Sequence, residues 1–143
     1  MRQKSILRIL VEPLLIAALL ALAVRTVASI HAVPSDSMAP TLVAGDRILV
    51  TRFLTDTPAR GDIIVFRHPV GNELTVKRIA GVAGDLVEAQ LVPSGHLFVV
   101  GDNRGASWDS RHWGPVPDSL VVGRARVVLW HAGRAGRIFK WVE

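Results

Sequence analysis

Residues 74–80 read Leu-Thr-Val-Lys-Arg-Ile-Ala, a short run dominated by apolar and β-branched side chains. A run of this length and composition is typical of a buried or half-buried β-strand. It contains Lys77, while the other two lysines, Lys4 and Lys140, lie near the chain ends and all remaining cationic residues are arginines. A desolvated lysine can lose its proton and an arginine cannot, so Lys77 is the first candidate for chemistry.

Similar runs recur through the rest of the chain and define the fold class. They cover residues 47–53, 62–66, 74–80, 86–91, 97–100 and 120–130. Segments rich in glycine, proline and asparagine separate most of them, which is turn chemistry. We therefore expect a mostly β protein, with a small antiparallel, barrel-like sheet behind one helix. One long irregular segment remains, residues 101–117, and such loops in compact domains are usually functional.

The first thirty residues follow a different pattern, because they are aliphatic almost throughout. The stretch from Ile9 to Ile30 is long enough to cross a bilayer, which needs about 20 residues, if Glu12 and Arg25 lie near its two faces. We expect residues 1–30 to form a cytoplasmic stub and membrane anchor. Residues 31–143 would then form one domain on the extracytoplasmic side.

Two other interpretations of this segment stay open. Basic residues precede the apolar stretch and small residues such as Ala28 follow it, as in a cleavable secretory signal. A buried core helix is the third option. The basic cluster gives the anchor and the secretory signal the same orientation, with the N-terminus inside.

Charge and composition limit the function classes. The 143 residues suffice for one domain, cysteine is absent, and the formal net charge is +5. Basic residues crowd the C-terminal region at Arg124, Arg126, Arg134, Arg137 and Lys140. They form either a solvated surface or a patch that attracts anionic lipid headgroups beside the anchor. A nucleic-acid partner is not expected for a domain outside the cytoplasm.

Ser37 is the candidate nucleophile. It lies in the segment 34–41, Pro-Ser-Asp-Ser-Met-Ala-Pro-Thr, where the alternative role for its hydroxyl is a turn or helix cap. Serine needs a base to become nucleophilic, and a neutral lysine is one known solution. For that role the pKa of Lys77 must fall from about 10.4 towards 7–8, and burial among apolar side chains would lower it.

The loop 101–114, Gly-Asp-Asn-Arg-Gly-Ala-Ser-Trp-Asp-Ser-Arg-His-Trp-Gly, combines acidic and basic residues. It predicts a loop braced by ion pairs. A calcium loop is the rival interpretation, but Arg104 and Arg111 interrupt the acidic residues and no bidentate glutamate follows. The five histidines show no metal-ligand spacing. We expect no metal and no cofactor.

These segments together resemble the type I signal peptidase family. Residues 34–42 are similar to its nucleophile box and residues 61–66 to its structural strand box. Residues 77–85 are similar to its base box, and residues 101–114 to its final box. Three departures stand out: Ala83 replaces a usual proline, Asp36 replaces a small residue, and only fifteen residues separate Asp85 from Gly101.

The resemblance implies a role for each matching residue. Ser37 would be the nucleophile and Lys77 the general base. Ser35 would offer its hydroxyl, together with the Ser37 backbone N–H, to the oxyanion, and Ser107 would orient the lysine. Four charged residues would brace the site: Arg78, Asp102, Asp109 and Arg111.

The function implied is a membrane-anchored serine endopeptidase that removes signal peptides from exported precursors. Its partners would be those precursors, membrane lipids and the protein translocation machinery. Two alternatives stay open: a dedicated maturation peptidase of the same superfamily, conjugative or organelle type, and a non-catalytic anchored β binding module.

Overall fold

The structure, a computed structural model, describes residues 6–53, 56–131, 133 and 139–142. Two α-helices lie within this part of the chain, α1 (Ile6–Val27) and α2 (Ser110–Trp113). The longer strands are β1 (Ala28–Ala32), β2 (Asp46–Thr51), β3 (Ile63–Arg67), β4 (Leu74–Gly81), β7 (His96–Val100) and β9 (Val121–His131). Four strands have two residues each: β5 (Leu86–Val87), β6 (Gln90–Leu91), β8 (Val116–Pro117) and β10 (Lys140–Trp141).

α1 has the length and composition of a membrane-spanning helix. The span from Arg8 to Val27 has a mean hydropathy of 2.1, and none of its 18-residue core is buried against the rest of the protein. Arg8 and Glu12 form an ion pair of 2.9 Å on one face, which neutralises both charges at the start of the span. Because the apolar side chains of α1 contact no core, the buried-helix alternative is wrong.

The apolar N-terminal segment contains a strand that the sequence did not predict. α1 ends at Val27, three residues before the expected end of the anchor, and β1 follows directly. β1 pairs antiparallel with β2, from Ala28 opposite Thr51 to Ala32 opposite Arg47. Val27, Ala28 and Ile30 are as suitable for a helix as for a strand, so only the pairing with β2 decides the boundary.

The main sheet has eight strands, and the predicted antiparallel architecture is confirmed. The order is β1-β2-β9-β3-β4-β7-β8, with β10 also paired to β9. Register shifts interrupt the ladders between Arg47 and Ile48, between Leu49 and Val50, between Val65 and Phe66 and between Ile79 and Gly81. Such irregularities bend and twist strands, and they allow the sheet to curl.

Two predicted segments are more structured than expected. Residues 86–91 form a tight hairpin of β5 and β6 rather than one strand, with Glu88 and Ala89 at φ +49° and +61° between them. Positive φ at both turn positions matches a two-residue hairpin turn. The loop 101–117 contains a 3-10 turn, α2 and β8.

β3 is buried on both faces and separates two apolar clusters. Ile63 and Val65 pack into one cluster with Met38 and Leu42, while Ile64 and Phe66 pack into the other. Met38 and Leu42 have no exposed surface, so they anchor the segment that carries Ser37 to the core. Lys77 pairs across from Ile64 on β3, which places it beside the second cluster.

Candidate active site

Ser37 lies in a short 3-10 helix, Asp36–Met38, on the connection between β1 and β2. Its relative exposure is 6%, and the neighbouring Met38 is fully buried. Asp36 turns away from Ser37, because its Oδ1 accepts a 2.8 Å hydrogen bond from the Ala44 backbone N–H. The carboxylate at this unusual position therefore binds the backbone of the loop that follows Ser37.

Lys77 contacts Ser37 directly. Its Nζ lies 2.8 Å from the Ser37 Oγ, although 40 residues separate the two in the chain. Lys77 is 4% exposed, with Val76 and Ile79 beside it on β4 at 4% and 1%. Burial lowers the pKa of Lys77; the Asp109 carboxylate opposes this, and the Arg111 guanidinium adds to the lowering. The predicted burial of the lysine is confirmed.

Asp109 is the hydrogen-bond centre of the loop next to Lys77. It has no exposed surface, and its Oδ2 accepts from the Ser107 hydroxyl at 2.6 Å and the Gly101 N–H at 2.9 Å. The Arg111 guanidinium binds both carboxylate oxygens, at 2.8 and 2.9 Å. Burial alone would raise the pKa of Asp109, but these hydrogen bonds together hold it well below its usual range.

Among the described residues, no hydrogen bond joins Ser107 to Lys77, the lysine that Ser107 is expected to orient. Ser107 is 6% exposed, and its hydroxyl donates a hydrogen bond to Asp109. Ser107 nevertheless lies close to the nucleophile segment, since a Cβ added to Gly101 would clash with both the Ser107 side chain and the Ser37 carbonyl oxygen. The hydroxyl oxygen keeps its lone pairs for a further donor.

A second brace connects β4 to the nucleophile segment through Asp102. Arg78 binds both oxygens of Asp102 at 2.8 Å and also donates to the Gly61 carbonyl. Thr41 donates to the same carboxylate at 2.6 Å. Burial raises the pKa of Asp102, but the hydrogen bonds from Arg78 and Thr41 outweigh it and lower the pKa overall. Arg78 and Asp102 therefore form an ion pair.

Thr41 and Asn103 also form hydrogen bonds at the site, and the sequence did not identify either residue as a candidate. The Asn103 N–H donates to the Ser37 carbonyl at 3.0 Å, and its side-chain amide donates to the Asp36 carbonyl at 3.2 Å. Both residues stood in segments already marked as important. Their partners lie more than sixty residues away in the chain, so no local pattern identifies the contacts.

Ser35 borders a small cleft beside Ser37. Its hydroxyl lies 3.3 Å from the Ser37 Oγ, and its side chain is exposed. The cleft has a volume of about 210 Å³ and lies between the Ser37 segment and the start of β4. Its lining is Val33, Pro34, Ser35, Ser37, Met38, Glu73, Leu74, Thr75, Val76 and Lys77.

Metal ligands do not cluster in the part of the chain that the structure describes. No group of three or more His, Asp or Glu side chains is placed to hold an ion there. The acidic residues of the loop 101–114 are committed to Arg78 and Arg111. This arrangement argues against the calcium-loop alternative.

A comparison with known families agrees with the order of the four sequence segments and with the contact between Ser37 and Lys77. The chain matches the family described as "Signal peptidase, peptidase S26" over residues 6–91 and 88–130. The chain belongs to the signal peptidase family. It is a serine peptidase of the signal peptidase I type, hence a hydrolase, and its apolar α1 agrees with membrane attachment.

Relatives of this signal peptidase family member come from bacteria and organelles. A signal peptidase I of Leptolyngbya laminosa is 34% identical over 86% of this chain and 79% of that protein. The mitochondrial ATP-independent inner membrane protease subunit 1b of Arabidopsis thaliana is 43% identical over 66% of this chain and 63% of that protein. A crystal structure of a signal peptidase I from Enterococcus faecalis V583 aligns at a TM-score of 0.43 and 25% identity, over 48% of this chain and 97% of that one.

Proposed function

We propose that the protein removes N-terminal signal peptides from exported precursors through a serine and lysine dyad formed by Ser37 and Lys77. The contact between the Lys77 Nζ and the Ser37 Oγ, at 2.8 Å, is the observation that carries this proposal. Both groups are buried, at 4% and 6% exposure, and burial lowers the pKa of the lysine. A neutral amine within hydrogen-bond reach of a hydroxyl is what nucleophile activation requires.

The first chemical step forms a covalent acyl-enzyme. Neutral Lys77 takes the Ser37 proton as the Ser37 Oγ attacks the scissile carbonyl, giving a tetrahedral oxyanion. The resulting ammonium of Lys77 then protonates the leaving amine, the C–N bond breaks, and an ester to Ser37 remains. Lys77 is neutral again at that point, so it can take a proton from water for hydrolysis of the ester.

We assign two donors to the oxyanion, the Ser37 N–H and the Ser35 hydroxyl. Ser37 is the second residue of the 3-10 helix Asp36–Met38, and N–H groups in a first turn have no partner within the helix. The second donor is the Ser35 hydroxyl, which lies 3.3 Å from the Ser37 Oγ. Removing one such donor typically lowers the rate by a factor of about 10²–10³.

The braces hold the dyad in this geometry. We assign to Ser107 the role of hydrogen-bond acceptor for the ammonium form of Lys77. The Ser107 hydroxyl donates to Asp109, so the lone pairs of its oxygen can accept from the lysine. Asp109 and Arg111 fix Ser107 and Gly101. Arg78 and Asp102 fix the segment that carries Ser37. These four charged residues are positioning residues.

The substrate would bind as an extended strand along β4. β4 pairs with β3 from residue 74 onwards but with β7 only from Arg78 onwards, among the described strands. One backbone edge of residues 74–77 therefore faces the cleft and can add a strand. A cleft of about 210 Å³ accommodates small side chains, as in an A-x-A-like cleavage site.

The membrane topology follows from the same proposal. α1 would retain the protein in the membrane, with its N-terminal end on the cytoplasmic side and the catalytic domain, which begins with β1, on the extracytoplasmic side. Precursors, lipids and the translocation machinery would be its partners there.

The test compares Lys77→Arg with Lys140→Arg in full-length protein purified in detergent, incubated with one signal-peptide-bearing precursor. Lys140 is exposed on β10 and receives the same substitution, so Lys140→Arg should cleave like the wild type. Lys77→Arg should be inactive, because the guanidinium stays protonated. Appreciable cleavage by Lys77→Arg would overturn the dyad. Ser37→Ala should likewise be folded and inactive, whereas the exposed Ser94→Ala should be active.

A dedicated maturation peptidase is the second candidate. The mitochondrial inner membrane protease subunit 1b of Arabidopsis thaliana is 43% identical to this chain, and this similarity supports a maturation peptidase of the organelle type. A panel of unrelated precursors separates the two functions, since a dedicated enzyme should cleave one or a few of them. The non-catalytic binding module predicts that a serine-reactive acylating probe leaves Ser37 unlabelled.

A further inference from the structure

A second pocket lies at the end of the sheet where β2 and β3 end and β9 begins. It has a volume of about 470 Å³. Its lining is Arg52, Phe53, Pro58, Arg67, Asp118, Val121 and Val122. None of these residues lines the cleft beside Ser37 or takes part in its braces. We call it the Arg52–Arg67 pocket.

The two arginines of this pocket are free to bind a ligand. Both are exposed, and neither forms an ion pair with a carboxylate among the described residues. Their neighbours on β9 differ: Arg124 binds Asp62 at 2.7 Å and Asp56 at 3.2 Å, and Arg126 approaches Asp56 at 3.6 Å. The positive charge left unneutralised here therefore belongs to Arg52 and Arg67, opposed only by Asp118 in the lining.

The pocket is attached directly to the end of the membrane-spanning helix. The Arg52 backbone N–H donates a 2.9 Å hydrogen bond to the carbonyl of Val27, the last residue of α1. Thr51 pairs with Ala28, the first residue after the helix. If α1 crosses the bilayer up to Val27, Arg52 lies at the bilayer surface, at the depth of the lipid headgroups.

We propose that the Arg52–Arg67 pocket binds the phosphate group of an anionic phospholipid. Two guanidinium groups can donate in parallel to phosphate oxygens. Phe53, Val121 and Val122 supply apolar walls for the glycerol backbone and the first acyl carbons. A free phosphate ion has the same charge chemistry but no apolar part. The inference depends on the anchor and does not depend on the peptidase mechanism.

The test measures ligand-dependent thermal stability of the full-length protein in uncharged detergent at constant ionic strength. The probes are dihexanoyl-phosphatidylglycerol, dihexanoyl-phosphatidylcholine and inorganic phosphate. A ligand that binds the native state raises Tm with its concentration, which gives an apparent Kd. We expect phosphatidylglycerol to raise the Tm of the wild type at concentrations where the other two probes have little effect.

Variants assign the effect to the pocket. Arg52→Gln and Arg67→Gln should each weaken phosphatidylglycerol binding at least about tenfold, as for a lost hydrogen bond to a charged group. Arg47→Gln is the matched control, because Arg47 is exposed on β2, the strand that Arg52 directly follows, but lies outside the pocket lining. Asp118→Asn should tighten binding about two- to fivefold, since it removes the opposing charge.

Three results would overturn the proposal. One is equal binding by the wild type and both arginine variants; another is equal binding of phosphatidylcholine and phosphatidylglycerol. The third is inorganic phosphate binding as tightly as phosphatidylglycerol, which would make the site one for soluble phosphate rather than lipid. Arg52 and Arg67 lie at the ends of different strands, so one variant suffices for the test when the other does not fold.

Discussion

Lys77 and Arg78 are neighbours with opposite environments, and this difference determines what each can do. Lys77 is 4% exposed and contacts Ser37, whereas the Arg78 side chain is 24% exposed and binds Asp102. Successive strand residues point to opposite faces, so the two side chains cannot exchange roles. An arginine at position 77 would remain charged beside the nucleophile.

The pH dependence of cleavage tests the state of Lys77. Burial lowers its pKa, so the neutral amine accumulates as pH rises through that lowered value. We expect kcat/KM for a peptide substrate to rise between about pH 6 and 9 and to level off above the pKa of the free enzyme. A flat profile over this range would contradict a lysine general base. The measurement needs a second buffer series to separate ionic effects from titration.

Asp109→Asn should destabilise the protein. The substitution leaves Arg111 without its charged partner and weakens the bonds from Ser107 and Gly101. Breaking a buried ion pair costs about 3–5 kcal/mol, and the partial exposure of Arg111 reduces this to about 2–4 kcal/mol. Chemical denaturation measures the loss, with the exposed Asp118→Asn as control.

The Asp109 carboxylate should also make the folded protein less stable at acidic pH. The folded protein holds the pKa of Asp109 below its unfolded value, so its stabilisation is complete above about pH 4 and is lost as pH falls further. Asp109→Asn should therefore unfold with a weaker pH dependence than the wild type below about pH 4. Parallel curves for the two proteins would show that Asp109 is not responsible.

At the scale of elements, the site depends on the close approach of the loop 101–109 to the Ser37 segment. A Cβ on Gly101 would clash with the Ser107 side chain and with the Ser37 carbonyl. Asn103 and Asp102 add hydrogen bonds to the same segment. The position of Ser37 thus depends on contact between two segments that are distant in sequence, its own and the loop 101–109.

Gly101→Ala should reduce activity sharply while Gly105→Ala should not. A methyl group at Gly101 must push the loop away from Ser37, and a displacement of about 1 Å can lower a rate about 10²-fold. Gly105 has no neighbour within 4 Å of an added Cβ, which makes it the matched control. Activities within a factor of about three of each other would show that the contact does not position the nucleophile.

At the scale of the whole molecule, α1 and the sheet are joined through β1. α1 has no buried side chains in its span, whereas β1 forms five residue pairs with β2. The sheet should therefore fold without the anchor but should depend on the strand that follows it.

Two truncations test this dependence. A chain that begins at residue 28 should keep the far-UV circular dichroism of the β domain and a Tm near that of the full-length protein. A chain that begins at residue 33 loses β1 and should melt more than about 5 °C lower, as for a loss of about 1 kcal/mol or more. Equal Tm values for the two chains would show that β1 adds no stability.

The strands β2, β3, β4, β7 and β9 could be predicted, because alternating or continuous apolar runs between turn residues are a local signal. β1 could not, since its residues continue an apolar helix pattern and only pairing with β2 separates them. The hairpin in residues 86–91 was missed because neither Glu88 nor Ala89 is a usual residue at positive φ. The hydrogen bond from Ser107 to Asp109 had no local signal, and the role of Ser107 in orienting Lys77 stays a prediction.

The sequence by itself determined the family, the order of the boxes and the candidates Ser37 and Lys77, because residue type and local spacing carry that information. Only the tertiary structure decided that the lysine is buried, that its Nζ reaches the Ser37 Oγ, and that Arg52 lies against the last residue of α1. The physical reason is that burial and hydrogen-bond partners depend on segments far apart in the chain. A lysine becomes a candidate base only when other strands exclude water from it.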